Sequence, residues 1–195
     1  MPPANPLLLL TGLGQSVWYD YITRDLLSSG ELKRLIADDG LRGMTSNPTI
    51  FEKAIAGSQL YDEDIRRMSE SGLRAAEIFE SLAVRDVQAA CDVFRPLYEE
   101  TRGRDGYVSL EVSPQLAHNT DATRMEAERL WRAVSRPNAM IKIPGTQAGL
   151  AAIADSIAAG INVNVTLLFS VQRYAEVIEA YQQGLERRIW DSCLV

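Results

Sequence analysis

Short apolar segments alternate with longer stretches of helical period along the 195 residues of the chain. Runs of apolar and β-branched residues predict strands, and apolar residues spaced three and four apart predict amphipathic helices. The predicted strands cover residues 16–22, 41–45, 107–113, 139–144 and 161–168. The predicted helices cover residues 26–37, 58–71, 73–102, 121–135, 146–159 and 170–188, with Pro96 expected to kink or break the third.

Strand–helix alternation of this kind indicates a parallel sheet with right-handed crossovers, either a barrel or a doubly wound sheet. A doubly wound nucleotide-binding sheet usually carries a glycine-rich phosphate loop after its first strand. Here that position reads Ile22-Thr23-Arg24-Asp25, and neither G-x-G-x-x-G nor the P-loop motif occurs. The sequence therefore favours an α/β fold of the (β/α)8 TIM-barrel type, incomplete, with about five strand–helix units in a single domain spanning 1–195.

Composition and charge narrow the function classes. Hydrophobic residues make up 46% of the chain and charged residues 24%, which indicates a folded globular protein. The 20 basic and 26 acidic residues are dispersed, so we expect no nucleic-acid binding. The longest aliphatic run, residues 7–10, is too short to cross a membrane, and the two distant cysteines favour the cytoplasm. One histidine and two cysteines do not suffice for the common zinc sites, so metal-free chemistry is expected.

Polar residues lie near the C-terminal ends of all five predicted strands. Interior strands of a parallel sheet are normally continuous apolar runs, so the presence of polar residues in them requires an explanation. In a (β/α)8 barrel the C-terminal strand ends form the active-site face, and we expect the residues to share one pocket. They are Asp20, then Thr45, Ser46 and Asn47, then Glu111 and Ser113, then Lys142, and finally Asn162, Asn164 and Thr166.

Lys142 is the strongest candidate for covalent chemistry. It lies between Ile141 and Ile143, and an amine held among apolar neighbours is favoured in its neutral form, which attacks carbonyl carbon to give a Schiff base. Glu111 is the natural general acid/base, acting through a bound water, and Asp20 is the second carboxylate. Two alternatives remain open: a lysine that points outward from a strand end, and a structural ion pair.

For the uncharged candidate site residues, structural roles are alternatives to substrate binding. Asn47 precedes a proline, which keeps it out of the α region, and turn or cap chemistry explains it well. Asn164 and Thr166 lie two residues apart and therefore share one face of a strand. Trp18 and Tyr19 directly precede Asp20, and we expect both to pack in the core.

Four stretches of the chain resemble those of a known family, transaldolase, in its longer bacterial form. The resemblance runs from about residue 17 to about residue 189. The stretches are residues 43–51 (GMTSNPTIF), 108–113 (VSLEVS), 141–146 (IKIPGT) and 160–170 (GINVNVTLLFS).

The resemblance implies a (β/α)8 enzyme of the pentose phosphate pathway. Such an enzyme transfers a dihydroxyacetone unit from sedoheptulose 7-phosphate or fructose 6-phosphate to an aldose phosphate, and needs no cofactor. It implies that Lys142 forms the Schiff base, that Glu111 and Asp20 transfer protons, and that Thr166 helps to hold the catalytic water. Substrate binding is implied for Asn47 and Asn164, which would hold the dihydroxyacetone portion, and for Ser46.

The C-terminal region departs from the family pattern. A complete barrel has eight strands, and family members continue into three more, whereas residues 190–195 do not resemble that continuation. We expect a C-terminally truncated chain with weak or no transaldolase activity by itself and with open sheet edges that self-associate. One alternative is a non-catalytic barrel fragment that acts as an assembly or interaction module. Another is a related aldolase reaction on an unphosphorylated ketose.

Overall fold

The computed structural model describes residues 5–193, and the side chains of residues 5–190. The strands are β1 (Val17–Asp20), β2 (Leu41–Thr45), β3 (Tyr107–Glu111), β4 (Ala139–Pro144) and β5 (Val163–Thr166). The helices are α1 (Pro6–Gly12), α2 (Arg24–Ser28), α3 (Glu31–Asp38), α4 (Pro48–Ala56), α5 (Asp62–Glu70), α6 (Ala75–Glu100), α7 (Thr120–Val134), α8 (Gln147–Ala158) and α9 (Val171–Cys193). Two 3₁₀ turns cover Gln59–Tyr61 and Pro114–Leu116.

The five strands form one sheet in chain order, β1-β2-β3-β4-β5. β1 pairs with β2 and β4 with β5, both in parallel, as strand–helix alternation predicts. In β4 the buried residues Ala139, Ile141 and Ile143 alternate with residues that keep some exposure, which is the period of a strand. The predicted fold class, α/β with five strand–helix units of an incomplete (β/α)8 barrel, is confirmed.

Several helices differ from the predicted ones because of local backbone conformation and capping hydrogen bonds. The helix predicted at 26–37 is two helices, because Gly30 lies between them with φ +87°, a left-handed conformation that favours glycine. α4 was not predicted, since Asn47-Pro48 indicated only a turn. In the structure Asn47 is extended and its side chain accepts from the Ile50 N–H at 3.0 Å, so the dipeptide begins a helix.

Two further differences concern the long helix and the chain start. α6 is continuous from Ala75 to Glu100 with Pro96 inside it, so Pro96 does not break the helix, and the alternative of a kink stays a prediction. α1 was not predicted; Asn5 caps it and Pro6 follows at its first position. The predicted strands 16–22, 107–113 and 161–168 are each shorter in the structure.

The chain divides into two compact units. One holds the residues up to Val108 with Arg136–Ala139, and the other holds Ser109–Ser135 with the residues from Met140 onward. The predicted single domain over 1–195 stays a prediction. Within residues 5–193 no helix has the length and apolar character that spanning a membrane requires.

Each unit has its own buried side chains. In the first, the largest are Tyr61, Phe51 and Phe94. In the second, α8 packs between α7 and α9, and the buried residues of these helices accompany those of β4. They include Leu130, Ile141, Ile143, Ile153 and Val177.

Candidate active site

Lys142 and Glu111 form a partly buried ion pair in the second unit. Lys142 Nζ lies 3.4 Å from Glu111 Oε2, and their side chains are only 12% and 13% exposed. The backbone sets this geometry, because the Val112 N–H donates to the Lys142 carbonyl at 3.1 Å and so holds β3 beside β4. The lysine therefore does not point into bulk water.

Asn164 lies over the same face of the sheet. It is the register partner of Lys142 across β4 and β5, and its Nδ2 donates to Ser109 Oγ on β3 at 2.9 Å. Adjacent strands are separated by about 4.8 Å, so a hydrogen bond between short side chains across an intervening strand requires a concave face. Ser109 is fully buried, and sequence reasoning missed it as a site residue. Its position two residues before Glu111 on one strand was the available signal.

Thr166 completes this face at the end of β5. It is two residues beyond Asn164 and is the register partner of Pro144. Its carbonyl accepts from the Gly145 N–H at 2.8 Å, which continues the pairing past the end of β4. The side chain of Thr166 therefore lies near the end of the strand that carries Lys142, on the same face as Asn164.

A close approach fixes the loop after β4. Thr146 caps α8 by accepting from the Gly149 N–H at 3.0 Å. A Cβ at Gly149 would lie 2.1 Å from the Pro144 carbonyl oxygen, so only glycine lets α8 start this close to β4. The short loop holds the C-terminal end of the Lys142 strand in place.

The first unit holds the other predicted site residues. Asp20 is exposed at the end of β1 and lies opposite Thr45 on β2. Ser46 is 1% exposed, and Asn47 is half-buried with its Oδ1 engaged as the cap of α4. The structure thus places Asp20 at the end of β1, and Ser46 and Asn47 directly after β2. Their convergence with the Lys142 pair stays a prediction.

The aromatic residues around Asp20 differ from expectation. Trp18 packs against Gly43, where a Cβ would lie 2.3 Å from the indole ring. Tyr19 is 40% exposed, so the expected core position is wrong for it. Together with Tyr21 it lines a cleft of about 630 Å³ in the first unit.

A buried polar network anchors the segment that follows Asp20. The Arg24 guanidinium donates to Asp86 at 3.2 Å and to Asp64 at 2.8 Å, and lies 4.3 Å from the Tyr61 ring centroid. The Tyr61 hydroxyl donates to Asp86 at 2.7 Å. Burial raises the pKa of Asp86 despite these donors, and burial and the Asp86 carboxylate raise the pKa of Tyr61. The network fixes Arg24, four residues after Asp20.

Comparison with known sequences decides the family. The profile of the family described as Transaldolase/Fructose-6-phosphate aldolase matches residues 17–189, most of the chain. The chain belongs to this family. The resemblance read from the sequence motifs is thereby confirmed, and the Lys142–Glu111 pair becomes part of a transaldolase-family fold.

Individual relatives give the same result at high identity. "Transaldolase 2" of Nostoc sp. strain PCC 7120 is 54% identical over 185 residues, which cover 95% of this chain and 49% of that protein. "Transaldolase" of Trichodesmium erythraeum is 53% identical over 184 residues, covering 94% and 48%. "Transaldolase" of Acidothermus cellulolyticus is 51% identical over 185 residues, covering 95% and 50%. The chain of this family member therefore spans about half the length of the curated relatives it matches.

Proposed function

We propose that the chain provides the Schiff-base part of a transaldolase active site, with Lys142 as the amine that attacks a ketose phosphate. The observation that carries the proposal is the partly buried pair of Lys142 Nζ and Glu111 Oε2 at 3.4 Å. A lysine screened from water and beside a proton acceptor is suited to imine formation. Family membership supplies the substrate class, phosphorylated sugars.

The reaction balances without an external redox partner. The Lys142 amine adds to the C2 carbonyl of the donor, and loss of water gives an iminium ion. A carboxylate takes the proton of the C4 hydroxyl, the C3–C4 bond breaks, its electron pair moves into the iminium, and an aldose phosphate leaves. The resulting enamine attacks the aldehyde carbon of the acceptor, and water releases the new ketose phosphate. Because the iminium accepts the electrons, no metal or cofactor is required.

Several polar residues serve the proton transfers and the sugar hydroxyls in this proposal. Glu111 donates and accepts protons through a water that Thr166 helps to hold, and Asp20 is the second proton-transfer group. Their placement at the C-terminal ends of strands supports these roles, since that end of a (β/α)8 sheet carries the active site. The proposed substrate-binding residues are Ser46, Asn47 and Asn164.

Borohydride reduction tests the proposal, because it converts a transient imine into a stable secondary amine. The chain has only three lysines, Lys33, Lys53 and Lys142, so peptide mapping assigns the adduct unambiguously. With fructose 6-phosphate we expect one adduct on Lys142, its loss in Lys142→Met, and its retention in Lys53→Met. An adduct on the other lysines alone, or none at all, would contradict the proposal.

Turnover by this chain alone is a separate matter. A (β/α)8 pocket draws on eight strands, and residues 5–193 supply five, so we expect trapping on Lys142 with weak turnover in a coupled assay. The family match does not favour the alternative of a non-catalytic assembly module. Self-association through open sheet edges and a cytoplasmic location remain proposals, to be checked by light scattering and by fractionation.

A further inference from the structure

Two loops leave the strands that carry Glu111 and Lys142. The loop after β3 covers residues 112–119 and leads into α7, and the loop after β4 covers residues 145–146 and leads into α8. A backbone hydrogen bond joins the two strand ends, from the Val112 N–H to the Lys142 carbonyl at 3.1 Å. Beyond this bond the two chain segments enter different helices. The contact between the loops therefore bears on how firmly the two reactive side chains are held together.

Two threonine hydroxyls cross from one loop–helix junction to the other. Thr146 Oγ1 donates to the Ala117 carbonyl and also accepts from the Gly149 N–H at 3.0 Å as the cap of α8. In the opposite direction, Thr120 Oγ1 at the start of α7 donates to the Ala148 carbonyl at 2.7 Å. Each hydroxyl thus reaches the main chain of the neighbouring junction. We call these two contacts the threonine clamp; it consists of Thr120 and Thr146.

Further hydrogen bonds hold the β3 side of the clamp in place. Asn119 Oδ1 accepts from the Ala122 N–H at 3.0 Å and caps α7. The hydroxyl of Thr123, a residue only 2% exposed, donates to the Leu116 carbonyl at 2.8 Å. These contacts hold the loop of residues 112–119 against the first turn of α7. Because the acceptors in the clamp are backbone carbonyls, it joins two main-chain segments and not two mobile side chains.

We propose that Thr146 is a positioning residue for the reaction of Lys142: through the threonine clamp its hydroxyl fixes the ends of β3 and β4 and so keeps Glu111 beside the amine. Thr146 lies four residues after Lys142 and closes the stretch of residues 141–146 (IKIPGT), so it acts through the backbone. Position matters because a displacement of about 1 Å can slow a reaction about 10²-fold. The effect on the reaction rests on the proposed function, whereas the effect on access to Lys142 rests on the geometry alone.

Thr146→Val removes the hydroxyl, and Thr101→Val in the first unit is the matched control. The Thr101 hydroxyl also donates to a carbonyl, that of Leu97 at 2.8 Å, and accepts from a backbone N–H, that of Asp105 at 3.1 Å. Both threonines are partly buried, so the two variants should lose similar stability in urea unfolding. Thr146→Val alone should change the behaviour of Lys142. Thr146→Ser keeps the hydroxyl and should behave as the wild type.

Acetylation of the lysines with acetic anhydride measures the geometry without a substrate. Lys33 and Lys53 are exposed and the Lys142 side chain is 12% exposed, so peptide mapping gives the rate at Lys142 against two internal standards. In Thr146→Val we expect this relative rate to rise by about threefold or more, because loosened loops let the reagent reach the amine. An unchanged relative rate in Thr146→Val, or an equal rise in Thr101→Val, would overturn the proposal.

Borohydride trapping with fructose 6-phosphate measures the effect on the reaction. In Thr146→Val we expect the maximal trapping rate to fall about 10-fold at an unchanged half-saturating sugar concentration, because the clamp aligns the reacting groups and does not bind the sugar. A maximal rate equal to that of the wild type would overturn the positioning role. Thr120→Val breaks the other half of the clamp and should shift both measurements in the same direction, which keeps the test decisive if Thr146→Val does not fold. Absence of trapping in the wild type would contradict the proposed function, and acetylation of Lys142 would still decide on the clamp.

Discussion

Removal of the Tyr61 hydroxyl is a sharp test of how the first unit is held together. Tyr61 is fully buried, and its hydroxyl donates to Asp86 Oδ2 at 2.7 Å while accepting from the Arg24 N–H at 3.0 Å. Tyr61→Phe keeps the ring and its packing but deletes both hydrogen bonds. Asp86, only 3% exposed, then loses a donor that water does not readily replace.

The expected loss of folding free energy follows from the hydrogen bonds that the substitution removes. A hydrogen bond to a buried charged acceptor contributes about 1.5–3 kcal/mol, and the loss of the Arg24 bond adds a smaller amount. Arg24 still donates to Asp86, so the carboxylate keeps its opposite charge. We therefore expect Tyr61→Phe to lower the free energy of unfolding by about 2–3 kcal/mol.

Urea unfolding followed by circular dichroism measures this loss, with Tyr174→Phe as the matched control. Tyr174 is 56% exposed, and its substitution should cost less than about 0.5 kcal/mol. Equal losses in the two variants would refute the reasoning.

The pH dependence of the loss has a definite sign. Burial raises the pKa of Asp86, and the Tyr61 hydroxyl opposes that rise. Without the hydroxyl the folded chain holds the Asp86 proton more tightly, so acid favours the folded variant relative to the wild type. The loss should be largest above the folded pKa of Asp86 and shrink as pH falls through it. A loss that grows towards acid pH would contradict the network.

Three further changes have defined outcomes. Glu111→Gln should slow borohydride trapping about 10²–10⁴-fold by removing the proton donor for imine formation, as timed quench measurements would show. Burial raises the pKa of the Cys91 thiol to about 12. In a Cys193→Ser variant, a disulfide reagent at pH 8 should therefore react with Cys91 over about 10³-fold more slowly than with free cysteine. Unfolding in urea should restore the rate. Gly43→Ala places a Cβ 2.3 Å from the Trp18 ring and should cost about 1–3 kcal/mol in urea unfolding.

The strands were the most predictable part of the fold. The bounds predicted for β2 and β4 are those observed, because each segment is short and is bounded by turn or cap residues. For β4 these are Asn138, whose amide is buried and hydrogen-bonded, and Gly145. The hydrophobic pattern predicts such segments well because a buried parallel strand has few polar positions.

The remaining differences come from contacts that local patterns do not encode. Asn-Pro is compatible with both a turn and a helix start, and the hydrogen bond to Ile50 decides in favour of α4. Ser109 was missed because its contact is with Asn164, which is 55 residues distant, and its position two residues before Glu111 was the single local signal. Tyr19 is a large aromatic residue in a strand, which favours a core position, but its exposure depends on which element covers β1.

The Lys142–Glu111 pair links these structural facts to the proposed chemistry. Two opposite charges in a site of low exposure are costly to bury, and each stabilises the other. The low exposure of both side chains limits competition from bulk water, and the 3.4 Å separation leaves Glu111 close to the Lys142 amine. Imine formation needs a nucleophile beside a group that transfers protons, so this geometry supports the role proposed for the pair.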